Sequence, residues 1–394
     1  MDLKGQIKHL ASTLHPQLIS WRRHLHAHPE LSFEEYETME FISNVLTELG
    51  ISHEKGIAGT GVVATIKGRN PNSRTIALRS DHDALPIIEE NEVDYASKKH
   101  GKMHACGHDV HTTSLLGAVS ILASTSDQWD GTIRLIFQPG EEQLPGGASI
   151  MVKEGVLENP VPSHILGQHV FPDLPAGHVG IRGGMYMASA DEIYLTINGK
   201  GGHAALPKGQ CNPLLVASEV LLACEQFIET RENPKIKTVL TFGFIEGSGA
   251  TNVIPNSVKL KGTFRSLSEE WRFNAHSKIR EIVDSICANR GATADLDIRV
   301  GYPSVYNDPH LTKRMFNVAV EYLGEDKVHE LPERMTAEDF SFYCQKIPGC
   351  FYRLGTASPN SEHGHHGLHT SRFDIDESAL EIGAGLMAYG AITC

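Results

Sequence analysis

Hydrophobic and polar positions alternate in two different ways along the first half of the chain. Residues 7–50 carry apolar side chains at helical spacing that Pro29 interrupts, so two helices are predicted there. Short runs rich in β-branched residues come next, separated by helical or loop stretches; these runs are 61–66, 75–78, 132–137 and 165–166. This order predicts an α/β sheet with helices on its faces.

The pattern changes near Gly183-Gly184. Between residues 192 and 198 apolar and polar side chains alternate, which predicts a strand with one face in water. The elements predicted after it are a helix at 213–229, strands at 237–245 and 257–264, a helix at 268–289 and a strand at 294–300. Together they form a ferredoxin-like βαββαβ order, in which one face of the sheet is left for a partner.

Helical and strand patterns alternate again beyond residue 303, with a buried-strand candidate at 350–354 and a helix from Glu377 to the end. The predicted fold class is therefore α/β, with helices on both faces of a mixed sheet. A catalytic domain would consist of 1–187 and 300–394, and an α+β domain at 188–299 would be inserted into it. A length of 394 residues also makes two domains the default, although one large domain is an alternative.

Composition and charge narrow the function classes. The net charge of -13 is spread along the chain and no basic stripe occurs, which argues against a nucleic-acid partner. The amino terminus is charged where a secretory signal would be apolar, and no apolar run reaches membrane-spanning length, so a soluble, cytoplasmic protein is expected. The 7 cysteines are scattered, which favours reduced thiols. The 22 histidines are the one unusual feature of the composition, because many of them cluster beside Cys, Asp or Glu as metal ligands do.

The most specific local motif is HACGHDVH at 104–111, which precedes an apolar helical run. Ligands two residues apart cannot share a helix face, so Cys106 and His108 are predicted on the turn before that helix. The helix N-terminus would lower the pKa of the Cys106 thiol, and the thiolate is the form that binds metal. Taken alone, a buried structural cysteine among helix-capping residues explains the motif equally well.

A second motif, FQPGEE at 137–142, places two adjacent carboxylates where a buried strand stops at Pro139. Neighbouring side chains diverge outside a helix, so one of Glu141 and Glu142 can bind metal while the other transfers protons. Most adjacent glutamates are simply solvated. This pair is different because ligands of open α/β sheets gather at the carboxyl ends of strands.

Histidines recur at His169, where a strand is expected to end, and in the run 363–369. Either would be weak evidence alone, since lone histidines are more often capping or core residues than ligands. The five candidate donors, which are of mixed softness, are Cys106, His108, Glu142, His169 and His369. Five donors are more than one tetrahedral ion binds, so they favour two metal ions that share a ligand and a bridging water. Asp81 and Asp83 follow another strand, where an aspartate would either fix the tautomer of a ligand imidazole or cap the turn before Pro86.

Seven segments, in order, resemble the M20 metallopeptidase superfamily and, within it, the amidohydrolase branch of hippurate hydrolases, auxin-conjugate hydrolases and N-acetyl-diaminopimelate deacetylases. They are WRRHLHAHPELS at 21–32, DHDALP at 81–86, HACGHDVH at 104–111, QPGEE at 138–142, GKGGHAA at 199–205, NVIP at 252–255 and AEDF at 337–340. The resemblance implies that the five donors are metal ligands and that Glu141 is the general base. It also implies that the insert is a dimerisation domain and that His203 reaches an active site.

Three departures from the family pattern lie beside these residues. His82 stands where methionine is usual, Gln168 replaces an apolar neighbour of His169, and the loop after Glu142 is longer than usual. They affect the shape of the pocket and not the metal set. The histidines at 363–366 leave a choice of C-terminal ligand, and His369 is preferred because SRFD at 371–374 follows it, as it follows the family's ligand.

The function predicted is metal-dependent hydrolysis of the amide bond of N-acyl amino acids or related dipeptide-like amides. Two divalent ions per subunit, Zn²⁺ or Mn²⁺ before Co²⁺ or Ni²⁺, would activate a bridging water whose proton Glu141 passes to the leaving amine. Asp83 and His203 complete the catalytic set, His203 as a partner of the developing oxyanion. Asn252 and Arg265 are expected to bind the substrate carboxylate, although Arg265 is also explained as a surface strand residue. A homodimer is expected.

The alternative is a non-catalytic metal- or ligand-binding protein on the same scaffold. It too predicts bound metal, but it has no use for an acid or base such as Glu141 beside the ligands. A nucleotide-dependent oxidoreductase is disfavoured, since Gly59-Thr60-Gly61 and Gly247-Ser248-Gly249 lack the phosphate-binding spacing. The acyl group, the amino-acid side chain and the native metal are not determined by the sequence.

Overall fold

The computed structural model describes residues 2–206, 208–358 and 365–394. The α-helices of these residues are α1 (Leu3–Ala27), α2 (Tyr36–Glu48), α3 (His108–Ser124), α4 (Gly147–Lys153), α5 (Pro213–Glu229), α6 (Glu269–Arg290), α7 (Pro309–Leu323), α8 (Ser341–Cys344) and α9 (Ala379–Thr393). A short 3-10 helix covers Glu325–Lys327. The first two helices confirm the pair predicted on either side of Pro29.

The strands of the same residues are β1 (His53–Ile57), β2 (Gly61–Lys67), β3 (Thr75–Asp81), β4 (Thr132–Gln138), β5 (Ile165–Pro175), β6 (Val179–Ile181), β7 (Gly184–Met187), β8 (Asp191–Asn198), β9 (Gly202–His203), β10 (Thr238–Glu246), β11 (Val253–Ile254), β12 (Ser257–Ser266), β13 (Thr293–Val300), β14 (Val305–Asn307), β15 (Val328–Glu330) and β16 (Gly349–Ala357).

The chain divides into two compact units. The first comprises Met1–Gly184, Tyr306–Pro332 and Asp339–Cys394, and the second comprises Met185–Val305 and Glu333–Glu338. The domain limits given by the sequence, 1–187 with 300–394 and 188–299, stay a prediction, and so does the dimerisation role of the insert.

The first unit contains an eight-stranded sheet in the order β1-β2-β4-β3-β5-β16-β6-β15. Strands β4, β3, β5 and β16 are parallel neighbours, whereas β1, β2 and β6 pair antiparallel with a neighbour, so the sheet is mixed, as predicted. The carboxyl ends of the parallel strands meet at one edge, where Asp81 pairs in register with Gln138. This edge brings together the segments that follow β3 and β4.

The expectation that a strand ends at His169 is wrong. Strand β5 continues to Pro175, because β16 pairs with it in parallel from Ile165 through Phe171 and again at Pro175. His169 therefore lies in the middle of a strand, opposite Arg353 of β16.

The core of the first unit lies between the sheet and helices that include α1, α3 and α9. Helix α3 is buried from His108 to Leu122, so no face of this stretch is open to solvent. Its close contact with α9 requires a glycine, since a Cβ at Gly117 would lie 2.7 Å from the Ala384 Cβ. Among the described residues, no helix is both long and apolar enough to cross a membrane.

The second unit contains a four-stranded antiparallel sheet in the order β10-β12-β8-β13. Its elements follow the predicted order of strand, helix, two strands, helix and strand. The inward side chains of β8, Ile193, Leu195 and Ile197, are buried in one cluster with residues of α5 and α6. Helix α6 begins at a Ser268 cap, which accepts from the Trp271 N–H, and ends at left-handed Gly291.

Candidate metal centre

The turn before α3 places two of the predicted ligands against strand β5. Helix α3 begins at His108, and Gly107 before it has φ 80°, a conformation that favours glycine. A Cβ at Gly107 would also lie 2.5 Å from the Val170 Cγ2, so only glycine allows this approach. The turn thereby brings Cys106 next to His169.

All five predicted ligands lie in one cluster within the first unit. The Cys106 Sγ is 3.5 Å from the His169 Nε2 and 3.3 Å from the His369 Nε2. The Glu142 Oε1 is 3.1 Å from the His369 Nε2 and 3.9 Å from the His108 Nε2. Cys106, His108 and His169 form one group of three ligand atoms, and Cys106, Glu142 and His369 form another. Within each group the ligand atoms lie within 4.8 Å of one another, and the Cys106 sulfur belongs to both groups.

When their rings are neutral, the histidines of the first group present an unprotonated nitrogen to the cluster. The His108 Nδ1 lies 3.0 Å from the Asp83 Oδ1, and the His169 Nδ1 lies 2.8 Å from the Val170 carbonyl oxygen. Because both acceptors require a proton on Nδ1, each Nε2 keeps its lone pair. The His108 Nε2 is buried and has no hydrogen-bond partner within the described part of the chain. A buried lone pair beside a thiol and a carboxylate fits divalent cations of borderline softness.

Two histidines of the cluster have raised pKa values, whereas burial and then the charge of Arg353 lower the pKa of His169. Burial lowers the pKa of His108, but the charges of Asp81 and Cys106 outweigh burial and raise that pKa well above its ordinary value. Hydrogen bonds with Cys106 and Glu142 raise the pKa of His369 to about 10. The expected lowering of the Cys106 thiol pKa is wrong, because burial and then the charge of Glu142 raise this pKa. These groups take up protons where metal would bind, so metal and protons compete for the same atoms.

Asp83 connects two of the ligands. Besides the His108 ring, it accepts hydrogen bonds at Oδ2 from the Ser32 hydroxyl (2.6 Å) and from the Glu142 N–H (2.9 Å). Burial opposes ionisation of Asp83, but the hydrogen bond and charge of His108, with the bond from Ser32, lower its pKa to about 2. Of the two roles left open for this aspartate, the geometry favours fixing the His108 tautomer.

The carboxylates of Glu141 and Glu142 both reach the cluster. One ligand atom from each lies within 4.8 Å of the other and of a His108 nitrogen. Glu141 is buried, and its Oε1 accepts from the Asp339 N–H at 3.4 Å. Glu141 can therefore exchange a proton with a molecule held beside Glu142 and His108.

The other histidines near the carboxyl terminus are placed differently. The His365 Nε2 is 2.7 Å from the Ser358 carbonyl oxygen, His366 is exposed, and His363 lies outside the described residues. His369 itself has φ 61°, an unusual backbone conformation for a non-glycine residue, and its N–H donates to the Ala105 carbonyl (2.8 Å).

Three predicted residues belong to the second unit. His203 lies on β9, pairs with Val253 of β11 and is exposed. The Ala204 N–H donates to the Asn252 carbonyl (3.0 Å), so His203 and Asn252 are held on neighbouring segments. Arg265 lies on β12, and its Nε donates to the Thr263 hydroxyl (3.3 Å). The roles of all three stay predictions.

The sequence matches the family described as Peptidase family M20/M25/M40 over residues 77–391. The chain belongs to this family. It is 41% identical to a Synechocystis protein named as a probable hydrolase, over 98% of each chain. It is 39% identical to the N-acetyl-L-cysteine deacetylase of Bacillus subtilis, over 94% of this chain and 86% of that one. Among solved structures it resembles a dinuclear metal-binding peptidase of the M20 family from Bacillus subtilis, with a TM-score of 0.81, 33% identity and coverage of 97% and 98%. The resemblance seen in the sequence is thus confirmed, and the chain is a hydrolase.

The structure of this M20 hydrolase also shows a network of supporting residues around Asp81, and the sequence analysis gave no role to Arg79, His111 or Asp339 in it. Buried Arg79 donates to Asp81 (2.8 Å), Gln138 (2.8 Å) and Asp339 (2.7 Å). Asp81 in turn holds the His111 Nδ1 at 2.5 Å, and the His111 Nε2 accepts from the Val170 N–H. Since both nitrogens of His111 are used, this histidine of the HACGHDVH motif supports the cluster without being a ligand. An arginine inside the apolar strand 75–81 was a signal for such a network.

Proposed function

We propose that this M20 hydrolase cleaves the amide bond of small N-acyl amino acids or dipeptide-like substrates with the help of two divalent cations. Zn²⁺ and Mn²⁺ are the first candidates, and Co²⁺ and Ni²⁺ the next. The observation that carries the proposal is the pair of ligand groups that share Cys106, with the Glu141 carboxylate beside them. Metal-dependent amide hydrolysis also agrees with the deacetylase named among the relatives.

Cys106, His108 and His169 would hold one cation, and Cys106, Glu142 and His369 the other. Bound there, such a pair of ions polarises an amide carbonyl and lowers the pKa of a water molecule towards neutrality. Asp83 keeps the His108 lone pair directed at the cluster, and the Val170 carbonyl does the same for His169.

Glu141 carries the protons of the reaction. Its carboxylate takes one proton from the attacking water, whose oxygen forms a bond to the amide carbon. When the carbon–nitrogen bond breaks, Glu141 gives this proton to the leaving amine and the other proton of the water stays on the acyl oxygen, so the products are a carboxylic acid and an amine. A well-placed general acid–base group contributes about 10²- to 10⁴-fold in rate.

His203 is proposed as the hydrogen-bond donor to the oxyanion that develops on the amide oxygen. Its Nδ1 accepts from the Ala205 N–H at 3.2 Å, which leaves the proton of the neutral ring on Nε2. The exposed Nε2–H can then donate to a substrate. Asn252 and Arg265, on segments of the same unit, are proposed to bind the substrate carboxylate, Arg265 as a forked donor.

A second copy of the chain is the proposed partner of the second unit. Strand β10 forms an edge of its sheet and exposes Phe244 (41%) and Ile245 (53%), and α5 exposes Leu215 (61%) and Leu222 (67%). The two leucines are seven residues apart and so lie on one side of the helix. Apolar side chains beside an unpaired strand edge favour association with another chain. In such a dimer, His203 is proposed to serve the active site of the neighbouring subunit.

A metal and substrate screen tests the proposal. The protein is stripped with chelator, reloaded separately with Zn²⁺, Mn²⁺, Co²⁺ or Ni²⁺, and assayed with N-acetyl, N-benzoyl and indole-acetyl amino acids and with dipeptides. We expect no turnover in chelator and turnover of at least one amide with metal. Binding of metal at two ions per chain without hydrolysis of any of these amides would contradict the proposed substrate class.

A further inference from the structure

Glu35 is a buried carboxyl that the proposed reaction does not use. It directly precedes helix α2, and its side chain is fully buried. Its Oε2 accepts from the Thr60 hydroxyl (2.6 Å), and its Oε1 accepts from the Gly140 N–H (2.8 Å). Burial and the charge of Asp83 raise the pKa of Glu35 to about 7. Because burying a carboxyl away from water is costly, its contact with Gly140 calls for an explanation.

Gly140 opens the turn that carries the two catalytic-site glutamates. It has φ 61°, and a Cβ there would lie 2.5 Å from the Phe33 ring. Phe33 also has a left-handed backbone, with φ 66°. The segment 33–35 therefore holds Gly140 in two ways, by the Phe33 ring against its Cα and by the Glu35 carboxyl on its N–H. This fixes the direction in which the chain leaves β4.

The turn is anchored on both sides of Glu141. The residue before it donates its N–H to Glu35, and the residue after it, Glu142, donates its N–H to Asp83 (2.9 Å). The two anchors come from different parts of the chain, one ahead of α2 and the other after β3. Removal of the Glu35 anchor would leave, at the entrance of the turn, the packing of Phe33 and the bond from the Gly147 N–H to the Gly140 carbonyl (2.9 Å).

We propose that Glu35 is a positioning residue that holds the Gly140–Glu142 turn and thereby sets the place of the Glu141 carboxylate. The inference rests on the proposed role of Glu141 as the base. A displacement of about 1 Å in a reacting group can lower a rate by about 10²-fold, so the hydrogen bond to a backbone N–H can affect turnover without touching substrate.

Three substitutions of Glu35 separate positioning from a merely structural role. Glu35→Gln keeps an acceptor for the Gly140 N–H, and the Thr60 hydroxyl can turn to accept from its amide. Glu35→Leu removes the acceptor at similar volume, and Glu35→Asp keeps the charge but shortens the reach by one methylene. Thr60→Val is the matched control, because it removes the hydrogen bond from Thr60 to Glu35 and leaves Gly140 untouched.

The readouts are kcat and KM on an amide from the screen, metal content, and hydrogen–deuterium exchange of the peptide covering 138–146. We expect Glu35→Leu and Glu35→Asp to lower kcat about ten- to a hundred-fold. KM should stay within about threefold, with two ions bound and faster exchange in the turn. Glu35→Gln and Thr60→Val should stay within about threefold of the wild-type kcat, with wild-type exchange.

The proposal is overturned if Glu35→Asp or Glu35→Leu keeps the wild-type kcat, or if Thr60→Val lowers kcat as much as they do. Glu35→Asp provides the test if Glu35→Leu does not fold. The exchange measurement on metal-free protein needs no activity. If the wild type hydrolyses no amide, the proposed function fails. Unchanged hydrogen–deuterium exchange in Glu35→Asp would be enough to refute the claim that Glu35 holds the turn, whatever the activity.

Discussion

Replacement of Asp83 by asparagine tests how the metal cluster is oriented. Asp83 accepts three hydrogen bonds, from the His108 Nδ1–H (3.0 Å), the Ser32 hydroxyl (2.6 Å) and the Glu142 N–H (2.9 Å). Asparagine has only one oxygen and must present its NH₂ group on the other side. If the NH₂ faces His108, the ring must move its proton to Nε2 and loses the lone pair that would bind metal. If the NH₂ faces Glu142, the part-buried N–H of Glu142 loses its acceptor.

Either orientation of the asparagine amide has a cost in free energy that can be estimated. An unpaired buried polar group costs about 1–3 kcal/mol. Loss of the group that orients a ligand histidine typically lowers metal affinity about 10- to 100-fold, which is about 1.4–2.7 kcal/mol. We therefore expect Asp83→Asn to weaken the affinity for Zn²⁺ by about 10- to 100-fold.

The assay is competition with a chromophoric chelator at one fixed pH, since protons and metal compete for the ligands. Ser32→Ala is the control, because it removes one hydrogen bond to Asp83 and leaves both ligand contacts, and it should change affinity by less than about threefold. Unchanged affinity in Asp83→Asn would refute the orienting role of Asp83.

Three further predictions follow from the same contacts. Cys106→Ala should lower bound metal from about two ions to less than one per chain, since its sulfur belongs to both ligand groups; full occupancy by elemental analysis would contradict this. Burial and the charge of Asp83 raise the pKa of Glu35 from 4.5 to about 7, so the folded state holds more protons and its stability falls as pH rises between these values. In chelator, the free energy of unfolding of Glu35→Gln should thus rise by roughly 2–3 kcal/mol relative to that of the wild type between pH 4.5 and pH 7.5, as measured by denaturant unfolding. A difference between the two proteins that does not change with pH would contradict the raised pKa of Glu35. When inactive Glu141→Gln and His203→Ala dimers are dissociated and reassociated together, about a quarter of wild-type activity should return if His203 acts across the dimer. No recovery after complete mixing, shown by a tag pull-down, would exclude a role of His203 in the neighbouring subunit.

Local patterns in the sequence predicted many of the longer helices and strands. The alternation at 192–198 identified strand β8 because one face of its sheet is buried and the other is not. The spacing of Cys106 and His108 predicted a turn before a helix, and α3 does begin at His108. The five predicted ligands lie together because the turns after β4 and before α3 meet the middle of β5 and the segment before α9.

Long-range pairing could not be predicted in this way. Strand β5 runs past His169 only because β16, far along the chain, supplies its backbone partners. Arg79 and Asp339 are 260 residues apart, and no local pattern joins them. No sequence pattern singled out Glu35, because its role depends on contacts with Thr60 and Gly140.

The central claim is that Glu141 transfers protons beside a two-metal site. The most direct test compares kcat and bound metal in the wild type, Glu141→Gln and Glu142→Gln, each loaded with the metal that best supports hydrolysis in the screen. We expect Glu141→Gln to keep two ions per chain and to lose about 10²- to 10⁴-fold in kcat, whereas Glu142→Gln should lose metal affinity as well. A Glu141→Gln enzyme that keeps its metal and turns over within tenfold of the wild type would contradict the account.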